Sequence, residues 1–130
     1  MNFEETLEEL EKIITDLREE NKIIPVIVEG EKDTEALRTL GLKGEIIQLN
    51  KGMSLLNFCD MIARHYKAVI LLTDWDRKGG HLCFVIRKNL ESRVVCNTKY
   101  RELLSKKSKI RTVEALPSWI ITLQQKIHAR

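Results

Sequence analysis

Two aspartates two residues apart, Asp74 and Asp76, follow the apolar run Ala68-Val69-Ile70-Leu71-Leu72-Thr73, and a glutamate, Glu29, follows a second such run, Ile24-Pro25-Val26-Ile27-Val28. Carboxylates so placed can exchange protons or hold a hard cation. If the backbone stays extended beyond Thr73, the two-residue period of a strand points Asp74 and Asp76 to the same side and turns Trp75 away. Were the two runs neighbouring strands, about 4.8 Å apart, three carboxylates would share one pocket. Like charges that close do not all ionise without a compensating cation. Oxygen ligands suit Mg²⁺, or Mn²⁺ in its place, a cation that keeps several waters and often takes a substrate phosphate. A blander arrangement stays open at this stage, with Asp76 closing a turn, Asp74 capping the next helix and Glu29 solvated.

Around these acids lie groups suited to phosphate. Gly30, Gly52, Gly79 and Gly80 follow apolar runs, where the lack of a Cβ permits tight turns and close approach of an anion, or merely a turn. Backbone N–H groups near Asp33 or Gly80 would meet an anion at a helix N-terminus, and Arg77 and Lys78 stand next to the second motif as either phosphate contacts or exposed loop cations. Trp75, turned away from the aspartates, would pack against the sheet or stack on a base. Charge is unevenly spread: residues 1–65 hold 8 Lys/Arg against 14 Asp/Glu, and residues 66–130 hold 14 against 5. Between Arg77 and Arg111 eleven basic residues face only Glu91 and Glu102. Either a polyanion such as nucleic acid is the partner, or a solvated face keeps the protein soluble.

The elements that must position these residues follow from periodicity. Phe3, Leu7, Leu10, Ile13, Ile14 and Leu17 recur at helical spacing over residues 3–20 among acids. Residues 24–28 and 68–73 are apolar on both faces, as in strands buried between layers. Asp33 is expected to N-cap a helix ending at Gly41; residues 45–49 return as a strand, and Asn50-Lys51-Gly52 turns. Ser54 is expected to cap a helix reaching about His65, and another runs from about His81 to Leu90. A strand over 93–96, a helix over 99–107 and a last helix opened by Pro117 complete the pattern. Strands alternating with helices imply an α/β fold, a parallel sheet of about four strands with helices on both faces. In such sheets ligands bind beyond the carboxyl ends of the strands, where Glu29, Asp74 and Asp76 stand.

Length and composition set the outer bounds. With 130 residues, 43% apolar and 32% charged, the chain is one folded domain rather than a disordered tail. No apolar run approaches the roughly 18 residues of a membrane span, and the acidic start does not resemble a secretory signal, so a cytoplasmic protein without a membrane partner is expected. Cys59, Cys83 and Cys96 form no C-x-x-C pair and read as free thiols.

The stretch Val28-Glu29-Gly30-Glu31-Lys32-Asp33-Thr34-Glu35-Ala36-Leu37, followed by Leu72-Thr73-Asp74-Trp75-Asp76-Arg77-Lys78-Gly79, resembles the two signature motifs of the Toprim domain. The likeness covers about residues 22–105, between an N-terminal helix (1–21) and a C-terminal helical extension (106–130) packed on the same core. It implies a compact Rossmann-like fold. It also implies that Glu29 acts as general acid/base, that Glu29, Asp74 and Asp76 hold Mg²⁺, that Gly30, Gly52 and Gly79 are small residues of the motif loops, and that Asp33 supports the first motif. In length the chain is similar to small standalone Toprim proteins of archaea and bacteria, including ribonucleases that mature 5S ribosomal RNA, and to the Toprim part of bacterial-type primases. A strand-passing topoisomerase would need a tyrosine nucleophile on its own domain, and only Tyr66 and Tyr100 are present.

The leading expectation is therefore a magnesium-dependent enzyme acting on nucleic-acid phosphodiester bonds, RNA or DNA, as a nuclease or by nucleotidyl transfer, alone or with a protein assembly partner. The alternative is a non-catalytic module that binds nucleic acid and a protein partner. A phosphatase using Asp74 as nucleophile is a third, weaker reading, because only Glu91, Glu102 and Glu114 remain as acids beyond Asp76.

Overall fold

A computed structural model describes residues 2–49 and 52–129. In chain order these form α1 (Phe3–Asn21), β1 (Val26–Val28), α2 (Glu31–Thr39), β2 (Ile46–Gln48), α3 (Leu55–His65), β3 (Ala68–Leu71), α4 (Arg77–Leu90), β4 (Val95–Asn97), α5 (Lys99–Lys107) and α6 (Leu116–His128). The four strands make one parallel sheet in the order β2-β1-β3-β4, as the alternation of elements predicts.

Side chains alternate across the sheet and divide the core in two. Val26, Val28, Ile70 and Leu72 face α1, α2, α5 and α6 through Leu10, Leu17, Leu37, Leu104 and Leu123. Ile27, Val69 and Leu71 face α3 and α4 through Phe58, Ile62, Ile86 and Leu90. The helix leaving β1 thus covers one face and the helix leaving β3 the other. Between the carboxyl ends of these adjacent strands the chain direction reverses, which makes a crevice where α/β sheets take their ligands.

Two helix starts differ from the sequence reading. α2 begins at Glu31 with Gly30 as its N-cap; Asp33 is the third helical residue, and its Oδ2 accepts a hydrogen bond from the Gly30 N–H at 3.1 Å. The side chain still caps, but from inside the first turn. α4 begins at Arg77, four residues ahead of expectation, because Asp76 caps it: its Oδ1 accepts from the Gly79 N–H at 2.7 Å. The adjacent glycines at 79 and 80, unfavourable in a helix interior, had argued for a loop there. Ser54 caps α3 through the Asn57 N–H as expected, and Gly41, with φ +93°, ends α2 in the left-handed region. Asn50 and Lys51 of the expected turn lie outside the described residues, and Gly52 is exposed ahead of α3.

The thiols of Cys59, Cys83 and Cys96 are unpaired, the first two buried. Neither tyrosine is poised as a nucleophile. Tyr100 donates its hydroxyl to Glu20 of α1, and Tyr66 donates to Glu45 at 2.7 Å.

Candidate functional site

The acids meet in the crevice. Glu29, one residue past β1, accepts the Asp74 backbone N–H on Oε2 at 2.8 Å, which ties the two strand ends together. Asp74 in turn accepts the Val113 N–H on Oδ1 at 2.8 Å. Asp76 is held by its capping bond. Each of the three carboxylates therefore spends one oxygen on a backbone N–H and keeps the other without a hydrogen bond among the described residues, and none of these second oxygens is sealed from water.

Partial burial and neighbouring charge shift two acids of the crevice. Asp74 is pushed up to about 6, first by desolvation and then by Glu29, Asp76 and Glu114, while the Val113 N–H pulls the other way. Buried Asp33 is raised as well, mainly by desolvation and by Asp74, with the Gly30 and Glu114 backbone amides opposing. The site is thus an unneutralised cluster of negative charge.

A second layer fixes the backbone that carries the acids. The Thr73 hydroxyl donates to the Gly79 carbonyl at 2.8 Å. A Cβ on Gly79 would fall inside the Asp74 carbonyl, so glycine is needed there for close packing of α4 on the strand end. Arg101 of α5 donates through Nε to the Thr73 carbonyl at 3.1 Å and through Nη2 to the Asp74 carbonyl at 2.9 Å. Trp75 points away and is buried; its Nε1–H donates to the Ile110 carbonyl at 2.6 Å and its backbone N–H to the Arg111 carbonyl at 2.9 Å. It packs, as the first of its two readings had it, and offers no ring to a base.

Sequence reasoning missed the segment between α5 and α6. Ile110, Arg111 and Val113 stitch themselves to the Asp74-Trp75-Asp76 turn, and Glu114 adds a further charge, which Lys32 faces at 3.9 Å. No local pattern marks these residues, because their contribution is mostly backbone N–H and C=O brought in from about forty positions away. Glu114 alone carried a signal, as one of the few acids of a basic half.

Among the expected phosphate groups, Arg77 and Lys78 are exposed on the first turn of α4, beside Asp76. The N–H groups of Gly30 and Gly79 are engaged by Asp33 and Asp76. Several cations of the basic segment have partners within the chain. Arg101 is spent on carbonyls, Arg93 pairs with Asp60 at 3.0 Å, Lys107 with Glu9 at 3.2 Å, and Lys88 approaches Glu91 at 3.9 Å.

Among the described residues no three His, Cys, Asp or Glu side chains close into a ready metal cage. The donors present still fit Mg²⁺, which binds through one or two carboxylates, waters and substrate phosphate rather than an all-protein cage. One or two of these carboxylates with waters would make that set, and the repulsion that Glu29 and Asp76 exert on Asp74 is the charge a cation would offset.

A four-stranded parallel sheet with helices on both faces and acids at the ends of its two central strands defines an α/β domain with an acidic crevice. The Toprim domain model matches residues 24–115, and the chain belongs to that family, a nucleic-acid-acting, metal-binding fold family. It is 36% identical over 123 residues to a UPF0292 protein of Methanocaldococcus jannaschii, covering 92% of this chain and 96% of that relative. It is 42% identical over 102 residues to a UPF0292 protein of Thermoplasma volcanium, covering 78% and 86%. A solved structure of a protein from Aquifex aeolicus superposes with a TM-score of 0.69 at 26% identity, over 79% of this chain and 94% of that one. No helix among the described residues is long and apolar enough to cross a membrane.

Proposed function

We propose that the chain is a magnesium-dependent enzyme acting on phosphodiester bonds of nucleic acid, as a nuclease or by nucleotidyl transfer. The observation that supports this reading is the hydrogen bond between Glu29 and the Asp74 backbone, which joins two strand-end acids while leaving an oxygen of each turned to water. Glu29, Asp74 and Asp76 would hold Mg²⁺. When bound, the ion supplies neutralising charge at the phosphoryl group under attack.

The chain's own groups divide the remaining work. The Glu29 Oε2 is held by the Asp74 N–H, so Oε1 is the atom that exchanges a proton with the attacking or leaving oxygen. Arg77 and Lys78, on the first turn of α4, bring positive charge and the helix N-terminal dipole to the phosphate. Asp33 and Gly79 support: the first anchors Gly30 next to Glu29, the second lets α4 approach the Asp74 carbonyl. Gly52, exposed ahead of α3, is the small residue of its loop.

Titrating Mg²⁺ alone into the protein, and incubating it with single- and double-stranded RNA and DNA with or without Mg²⁺, tests this reading. Magnesium-dependent cleavage or transfer, lost in Glu29→Gln with nucleic-acid affinity retained, is the expected result. Equal affinity and no turnover in both proteins would make the domain a binding module and overturn catalysis.

A further inference from the structure

The far end of α4 carries features that the acid site does not use. Phe84 is 66% exposed and lines a cavity of about 390 Å³ with Arg87, Lys88, Ser92 and Cys96. One exposed aromatic is ordinary, but this one sits on a cationic helix face. Arg77, His81, Phe84 and Lys88 follow at spacings of four, three and four, which places them along one side of the helix, and all are exposed. At the cavity, Ser92 holds φ 70° in the tight turn that ends α4, where the Arg93 and Val94 N–H groups both bond the Leu90 carbonyl.

Charge decides what fits. Arg87 forms no ion pair among the described residues, and the only acid of the cavity, Glu91, already faces Lys88 at 3.9 Å. A protein partner could cover Phe84, but it would desolvate the unpaired guanidinium unless it brought an anion. A nucleotide brings both parts, a flat ring for the phenyl group and a phosphate for Arg87. The cavity has the size of a small-molecule site. Arg87 stands eleven residues beyond Asp76, about 16 Å along the helix axis, or about five stacked nucleotides at one phosphate per ~3.4 Å of strand.

We propose that this cavity holds one nucleotide of a single-stranded nucleic acid, its base against the Phe84 ring and its phosphate between Arg87 and Lys88, and that the exposed face of α4 leads the strand to the acids. A base paired within a duplex has no free face to offer that ring. The inference rests on the function proposed for the acid site and narrows its substrate to single strands.

Fluorescence anisotropy with labelled single-stranded RNA and DNA oligonucleotides and their duplexes, on the full chain with Mg²⁺, provides the test. The wild type is expected to prefer single strands. Phe84→Ala should weaken single-strand binding about tenfold and leave duplex binding unchanged, with a melting curve showing that the variant is folded. Arg87→Glu should flatten the slope of log K against log salt by about 0.7 for the lost contact. Equal wild-type affinity for single strands and duplex, or single-strand affinity unchanged in Phe84→Ala, overturns the proposal. A Phe84→Ala variant that changes oligomeric state but not affinity also overturns it, by making the patch a protein-docking surface. The two readings fail separately: loss of single-strand affinity in Phe84→Ala with no magnesium-dependent turnover in the wild type supports the cavity and removes the catalytic role alone.

Discussion

At its first turn α4 is stitched to the sheet: Asp76 caps it, Gly79 lies on the Asp74 carbonyl, Thr73 reaches the Gly79 carbonyl, and Arg101 and Val113 complete the frame. In its second half the helix carries the exposed Phe84, and it then runs out into a left-handed serine and the edge strand β4, whose Val95 is 70% exposed. One helix therefore has a start whose polar groups hold the acids' strand end and a far half whose Phe84, Arg87 and Lys88 side chains face solvent, the last carbonyls there being satisfied by Arg93 and Val94. The difference matters chemically. Acids that meet a cation must be held to fractions of an ångström, whereas a groove that takes any base needs a flat ring and mobile cations.

The strongest challenge to this contrast is steric. Gly79→Ala pushes a methyl group into the Asp74 carbonyl, which only a shift of strand end or helix relieves, so a loss of about 3 kcal/mol is expected. At Gly80 the new Cβ would meet only the Arg101 Nη2 at 3.5 Å, ordinary contact, and the helix gains propensity. Gly80→Ala should therefore raise stability by up to about 1 kcal/mol. Urea melts of the two variants read the result directly. Equal effects would mean that the first turn of α4 is no more constrained than a free helix, and the contrast would fail.

The same asymmetry explains what was legible in the sequence. The placement of Glu29, Asp74 and Asp76 was readable because they follow runs of residues apolar on both faces, and such runs become central parallel strands whose carboxyl ends border one crevice. The two-residue period also turned Trp75 inward correctly. Three things were not readable. The start of α4 was hidden by its glycines, whose low helix propensity is overridden by packing. Asp33 caps from the third helical position rather than from the N-cap, a difference local sequence barely encodes. The clamp from Ile110 to Val113 and the guanidinium of Arg101 are long-range. For the same reason Arg93 and Lys107, counted with the basic segment, turn out to face Asp60 and Glu9 of other helices.

A middle-sized effect probes the charge at the stitched end. The Asp74 carboxyl is pushed up to about 6 from the usual aspartate value of 3.8, with burial as the main cause. Between those two pH values the folded state holds more protons than the unfolded one, so this group's contribution to stability is full below about pH 4 and is lost as pH rises through about 6. Asp74→Asn keeps an oxygen to accept the Val113 N–H but cannot ionise. In chelator at pH 8 it should be more stable than wild type by about 1 kcal/mol, the full value of the shift being reduced by solvent screening of a half-open group. At pH 4 the two should melt together. Added Mg²⁺ should raise the wild-type melting temperature more than the mutant's. A mutant less stable at every pH would mean that Asp74 serves the fold alone.

The smallest effect belongs to the open end. Lys88 is 71% exposed and lies 3.9 Å from a Glu91 that is 68% exposed, a pair whose attraction is nearly cancelled by hydration and side-chain entropy. Lys88→Ala is therefore expected to shift stability by no more than about 0.5 kcal/mol, and raising salt should not alter that figure noticeably, since little Coulomb energy is present to screen. Its effect should appear in binding instead: a weaker hold on a single-stranded oligonucleotide, with the log-log salt slope reduced by about 0.7. Thermal melts at two ionic strengths, run beside anisotropy titrations on the same samples, separate the two quantities. A variant that loses stability by more than about 1 kcal/mol while binding normally would show that Lys88 supports the helix end as Asp76 supports its start, and the two ends of α4 would then differ in sequence but not in design. The expected opposite, stability kept and affinity lost, marks a residue whose partner in the folded chain contributes little and whose stronger partner arrives with the ligand.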